Sequence, residues 1–185
     1  ARIKMFLLCY QYPGIQILLI RKTLAELRSN HVIPLITLLN AKSPNKENRF
    51  AEYKDAKKEF VFPNNSRIEL GYCENSNDIY RYQGNQYDCI FMEEATHFEY
   101  EVYLFLSSRN RLSDEIRTYY INKNPNNKFV PRMYFTCNPG HVGHAWVKAK
   151  FIDNPECNDG KSGIVFIPST VYDNPHITEQ DPNYL

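Results

Sequence analysis

Residues 87–98 read YDCIFMEEATHF. Four apolar residues, Cys89 to Met92, run directly into Glu93 and Glu94. A short, unbroken apolar run of this length reads as a strand buried on both faces, the kind found in parallel sheets. Two adjacent carboxylates at its end repel each other, and desolvating them is costly unless a cation is near. The pair therefore calls for open solvent or a positive partner.

Outward from this strand, short apolar runs alternate with helical patterns. ARIKMFLLCYQY (1–12) reads as a helix stopped by Pro13-Gly14, and IQILLI (15–20) as a buried strand. In residues 21–40, Leu24, Leu27 and Val32 fall at helical spacing, with a break or kink expected at Pro34. KEFVF and RIELGYC flank Pro63-Asn64-Asn65-Ser66 and predict a hairpin. FEYEVYLFLSSRNRL predicts a helix, NKNPNNKFVP a loop, RMYFTC a strand ending in Asn-Pro-Gly, and HAWVKAKFI a short helix. GIVFIPST predicts a further strand, followed by a polar tail. Strands alternating with helices predict an α/β fold with a mainly parallel central sheet, in which ligands bind beyond the carboxyl ends of the strands. Glu93-Glu94 ends one such strand, and Thr136-Cys137-Asn138-Pro139 ends another.

Composition narrows the classes. The 185 residues fit one domain, and the net charge of +1 gives no global attraction to nucleic acid or membrane. Five cysteines, odd in number and without a CxxC pair, point to reduced thiols in a cytosol-like compartment. No apolar run approaches the roughly 18 residues of a membrane span, and the start shows no signal-peptide cleavage pattern. Ala1 lies inside an apolar segment with no initiator Met, so a fragment of a longer protein is expected.

Read for chemistry, Glu93-Glu94 fits a Walker B element. The first carboxylate holds Mg²⁺, directly or through water, and the second orients the water that attacks a γ-phosphate. The competing reading is a solvated strand end, or a helix start that favours acids through its dipole. The second strand end adds weight, because Thr136 and Asn138 offer a hydroxyl and an amide where a γ-phosphate can be sensed. Plain turn chemistry accounts for Asn, Pro and Gly equally well.

Taken together the segments resemble the ATPase domain of the large terminase subunit, the DNA-packaging motor of tailed bacteriophages. PGIQILLIRKTLAELRSNHV is similar to the family's second strand, its Arg-Lys-Thr (Arg21-Lys22-Thr23) and the helix that follows. The run from Phe62 to Phe98, with Gly84 in its lead-in, resembles the hairpin and Walker B followed by Glu-Ala-Thr. RMYFTCNPG resembles the coupling motif, HAWVKAKFI the helix after it, and PSTVYDNPHI the exit strand and the start of the linker to a nuclease domain. The resemblance implies a P-loop NTPase core of the ASCE type, truncated, with ATP and Mg²⁺ as cofactors. It gives Glu93 the metal side, Glu94 the catalytic position, and Thr136 and Asn138 the coupling positions. Arg81 falls where the family can place a basic residue facing a neighbouring subunit's nucleotide; a plain surface arginine is the competing reading. Double-stranded DNA, a portal protein, a small terminase subunit, a homo-oligomeric ring and a host-cytoplasmic location, without membrane, are implied for the whole protein. Other readings are a helicase-like motor ATPase and a non-catalytic interaction module.

Two features depart from the pattern. The family has Asp then Glu at Walker B, whereas Glu93 is one methylene longer. A phosphate-cradling GxxxxGK[ST] loop is absent: Gly160-Lys161-Ser162 follows Walker B, and Pro155 stands where the first Gly belongs. The true loop is expected upstream of Ala1 and the nuclease domain after Leu185, with the linker starting at about 170–185. The fragment alone is expected to hydrolyse ATP poorly.

Other clusters carry less. Cys137, His141 and His144 have a zinc-like spacing, but a zinc site needs three or four converging ligands; Cys137 reads as part of a buried strand, and His141 and His144 as loop polar groups. Lysines and arginines between Lys42 and Lys58 alternate with Glu47, Glu52 and Asp55, which reads as a solvated face rather than a DNA contact. The fourteen tyrosines flank apolar runs, as core-edge residues do.

Overall fold

A computed structural model of the chain describes residues 1–123, 129–173 and 179. The chain divides into two compact units, Ala1–His144 and Ala145–Leu185.

The first unit is built on one six-stranded sheet. Its strands are β1 (Gln16–Arg21), β2 (Glu52–Lys54), β3 (Glu59–Val61), β4 (Arg67–Tyr72), β5 (Cys89–Met92) and β6 (Arg132–Phe135), in the spatial order β2-β3-β4-β1-β5-β6. Strand β1 runs parallel to β4 and β5, and β5 parallel to β6. The β2–β3–β4 edge is antiparallel, with Val61 opposite Arg67 across the predicted hairpin. Carboxyl ends of β4, β1, β5 and β6 therefore line up along one edge.

Strand alternation assigns the faces. Ile17 and Leu19 of β1, Ile68 and Leu70 of β4, and Cys89 and Phe91 of β5 join one core. The core is completed by α1 (Arg2–Gln11) through Met5, Leu8 and Cys9, and by Leu27, Val32 and Leu35 of the following helical layer. Leu18, Ile20, Ile90 and Met92 point the other way and are equally buried. On that face Gly71 of β4 admits no side chain: a Cβ there would stand 2.4 Å from the Tyr82 hydroxyl and 3.0 Å from Leu18. Full burial of each Leu, Ile or Phe contributes about 1.5–3 kcal/mol, which is why a charge-poor β1 sits at the centre.

The helical layer after β1 consists of α2 (Leu24–Leu27), a wide π-turn over Arg28–Val32, and α3 (Ile33–Leu38). The break expected at Pro34 does not occur. Proline cannot bond the carbonyl four residues back. The preceding turn widens, Ile33 N–H donating to Arg28 O, and the Arg2 guanidinium donates to the Asn30 carbonyl. The hairpin turn closes the end of α1: Asn64 Nδ2 and Ser66 Oγ both donate to Cys9 O, at 2.7 and 3.1 Å. These bonds set the start of β4 beside the start of β1.

Helix α4 (Tyr100–Arg109) falls inside the predicted 98–112 segment. A helix without a sequence expectation, α5, spans Asp114–Lys123 and sends Ile116 into the core. The predicted 122–131 loop begins only after it, and 124–128 lie outside the described residues. In the second unit, Lys148–Ile152 forms a π-turn that continues α6 (His144–Val147). The strand expected at GIVFIPST is absent: Val165 and Ile167 are 69% and 80% exposed, and among the described residues no strand pairs with 163–170. Asn158 instead brackets this segment, accepting from Phe166 N–H and donating to Phe166 O. The polar tail forms a 3₁₀ turn at Val171–Asp173; 174–178 and 180–185 lie outside the described residues.

Candidate functional site

Glu93 and Arg21 each come directly after the last register pair of β1 and β5, Ile20 and Met92. Glu93 N–H donates to Ile20 O at 3.0 Å, which extends the ladder by one bond. Alternation sends both side chains to the face that carries Leu19 and Phe91. There Arg21 Nη1 lies 3.8 Å from Glu93 Oε2, and His31 Nε2 of the π-turn lies 3.6 Å from the same oxygen. Arg21 is also 3.7 Å from Glu26 Oε2, one turn into α2. Thr23 caps that helix by accepting from Glu26 N–H. The positive partner demanded by the carboxylate pair is thus written in this chain, on β1 and the helix after it.

Burial pushes the Glu93 carboxyl up, while His31 and Arg21 act against that, and it lies below the ordinary carboxylate range. At 3.6 Å the His31 contact is longer than an ordinary hydrogen bond.

Glu94 adopts a left-handed backbone, φ 54° and ψ 57°, rare for a non-glycine residue and enriched at functional sites. The first residue past β6 holds this turn. Thr136 Oγ1 accepts from Glu94 N–H at 3.3 Å, Thr136 O accepts from Ala95 N–H at 2.8 Å, and Thr136 N–H donates to Met92 O. A single 3₁₀ turn, Ala95–His97, comes after Glu94, too short for a helix dipole to explain the acids. Asn138 lies one step further on, its carbonyl accepting from Thr96 Oγ1 at 2.9 Å. The structure therefore brings Glu93, Glu94, Thr136 and Asn138 to one edge.

Arg81 lies on the same edge, two strands away. Its guanidinium stacks on Tyr72, the last residue of β4, at 4.5 Å and pairs with Asp78 at 2.7 Å. Cys137 is exposed and lies beyond β6, not on a buried strand. His141 packs its ring on His97 with centroids 3.9 Å apart, and His144 Nδ1 accepts from Gly140 N–H. Among the described residues no group of three or more His, Cys, Asp or Glu side chains is arranged to hold a metal. Mg²⁺ does not need one, since it is commonly bound by one or two carboxylates plus phosphate oxygens and water. The ionised, half-buried Glu93 beside Glu94 fits that role. The phosphate cradle has no counterpart among the described residues.

Comparison with known proteins identifies the family. The family model for the phage terminase large subunit matches residues 11–185. The chain belongs to the phage terminase large-subunit family. Solved structures similar to this terminase chain include the large terminase of a thermophilic bacteriophage in complex with ADP, at 17% identity and TM-score 0.63, covering 96% of this chain and 39% of that one. The same phage's large terminase in complex with ATP-γ-S matches at 15% identity and TM-score 0.58, covering 97% and 46%. This chain thus spans about two fifths of the length of that phage's protein. Among curated proteins, no significant match is found. The fold is that of the terminase core: mixed α/β, with a six-stranded, mostly parallel sheet flanked by helices. No helix among the described residues is long and apolar enough to cross a membrane.

The sequence marks Arg21 within the family's Arg-Lys-Thr but gives no site role to Arg21, Glu26 or His31. One signal was present: an arginine directly ending a fully buried strand needs a buried acid, and Glu93 and Glu94 are the acids that end another such strand.

Proposed function

We propose that this chain is the ATPase part of a DNA-packaging motor, a single partial ATPase domain over 1–185 whose linker to a nuclease domain begins at about 170–185. The observation that carries the reading is the join between β5 and β6: the strained Glu94 turn and the Thr136 backbone and hydroxyl form one hydrogen-bonded unit. In this reading Glu93 holds Mg²⁺, which when bound neutralises phosphate charge. Glu94 orients the attacking water and accepts its proton. Thr136 is tied to the Glu94 backbone, so a shift of that turn on phosphate release moves β6 and the Asn138 segment after it. This refines the sensor role: Thr136 acts through the main chain it grips, and its hydroxyl hydrogen stays available for phosphate. Arg81, held on Tyr72 at the exposed rim, reaches toward a neighbouring subunit's nucleotide in a ring.

The substrate is ATP and the cargo double-stranded DNA. The partners are a portal protein and a small terminase subunit, and the setting is the host cytoplasm. The 185-residue chain alone hydrolyses ATP poorly, because it carries no GxxxxGK[ST] motif. In the full-length protein, Glu94→Gln lowers turnover on the order of 10²–10⁴-fold while ATP binding, read by equilibrium fluorescence, is kept. Wild-type turnover in that variant removes Glu94 from its role.

A further inference from the structure

The contacts of Glu93 are unusual in kind. Arg21 and His31 both make their closest approach to Oε2, at 3.8 and 3.6 Å. Both distances exceed the 2.7–3.2 Å of a hydrogen bond. A carboxylate held this way is oriented by charge while its lone pairs stay uncommitted. Arg21 and His31 are 9% and 4% exposed, so neither reaches outward as a finger toward a phosphate. Arg21 is in turn braced by Glu26. Arg21 Nε, Glu26 Oε2 and both His31 ring nitrogens are buried without hydrogen-bond partners, which a purely structural ion-pair cluster does not tolerate well.

We propose that Arg21 and His31 are positioning residues that grip Glu93 Oε2 from the helical layer and turn Oε1 toward the metal. The inference rests on the reading of Glu93 as the metal-side carboxylate. It also accounts for a glutamate at this position: the longer side chain has one more torsion to fix, and Arg21 and His31 fix it. Outer partners of metal ligands commonly govern metal affinity by about 10–100-fold.

The test uses full-length protein, Mn²⁺ as a spin-active stand-in for Mg²⁺, and ATP-γ-S. Arg21→Met and His31→Gln are each expected to weaken Mn²⁺ binding to the nucleotide complex by about tenfold. ATP-γ-S affinity without metal is expected to stay unchanged, and kcat to fall more than KM rises. Arg21→Lys, which keeps the charge, is expected to recover part of the loss. Circular dichroism identifies variants that fold, and His31→Gln carries the test if Arg21→Met does not. Unchanged Mn²⁺ affinity in folded variants overturns the proposal, as does weakened metal-free nucleotide binding, which would make Arg21 a nucleotide ligand. If the unsubstituted protein shows no nucleotide-dependent Mn²⁺ binding, the metal-side reading fails and this inference with it.

Discussion

Two half-buried or buried carboxylates stand five residues apart, Asp88 just before β5 and Glu93 just after it, and they are held in opposite ways. Asp88 accepts from Gln16 N–H at 2.9 Å, Ser113 N–H at 2.7 Å and Ser113 Oγ at 2.9 Å. These neutral donors come from the start of β1 and the cap of α5. Glu93 instead faces the Arg21 guanidinium and the His31 ring, and neither comes closer than 3.6 Å. The difference separates a structural joint from a reactive edge. Asp88 spends its lone pairs on backbone that must stay fixed, whereas Glu93 is oriented yet keeps its lone pairs free for a ligand.

The contrast is broken most decisively by removing each acid in turn. Glu93→Gln in the full-length protein is expected to lower ATP turnover by at least about 10²-fold and to lower the melting temperature less than Asp88→Ala does. Asp88→Ala is expected to do the reverse. It strands buried donors of Gln16 and Ser113, at about 1–3 kcal/mol for each unsatisfied group, and unfolding by denaturant reads the loss. Equal melting losses in the two variants would erase the distinction.

The two acids also predict opposite pH slopes. Burial outweighs the hydrogen bonds from Gln16 and Ser113 and holds Asp88 above the ordinary range. Its ionisation therefore costs stability, which falls as pH rises through the folded-state pKa. Glu93 is held below its usual range, so its contribution is present above the unfolded-state pKa and is lost as pH falls through the folded one. Unfolding followed from pH 6 to 3 is expected to show the wild-type advantage over Glu93→Gln shrinking. The advantage over Asp88→Asn is expected to grow. Parallel slopes would contradict the assignment.

A smaller effect separates the same two ends by thiol chemistry. Burial pushes Cys89, at the start of β5, up to about 12 and Cys73 up to about 11. Cys137, beyond β6, is exposed. Iodoacetamide at pH 8 with mass-spectrometric readout is expected to label Cys137 and Cys157 well before Cys9, Cys73 or Cys89. Early labelling of Cys89 would mean that β5 opens.

How much of this was legible in the sequence depends on which forces act locally. The unbroken apolar runs of β1 and β5, the Pro-Asn-Asn-Ser hairpin and the face of α4 announce themselves through periodicity and turn chemistry. Helix α5 did not, because Ile116 alone, among its described side chains, enters the core; its signal was polar, Ser113 ahead of Asp114 and Glu115. The run at 163–170 has strand composition without a strand beside it, and composition alone does not supply a partner. At the site, Glu93, Glu94, Thr136 and Asn138 were legible because they sit at strand ends. Arg21 and His31 were not, because their approach to Glu93 depends on β1 lying next to β5, a neighbour far along the chain.

The central claim is that the nucleotide's metal sits at the carboxyl edge of β5, between Glu93 and the Thr136 join. Fe²⁺ with ATP, in place of Mg²⁺, generates hydroxyl radicals that cut the backbone near the bound metal. Run on the full-length protein with ascorbate and peroxide, the reaction is expected to give ATP-dependent cuts around Met92–Ala95 and Phe135–Cys137, suppressed by excess Mg²⁺. Cuts at the opposite edge near Gln16, Arg67 and Asp88, or no localised cleavage, would contradict it.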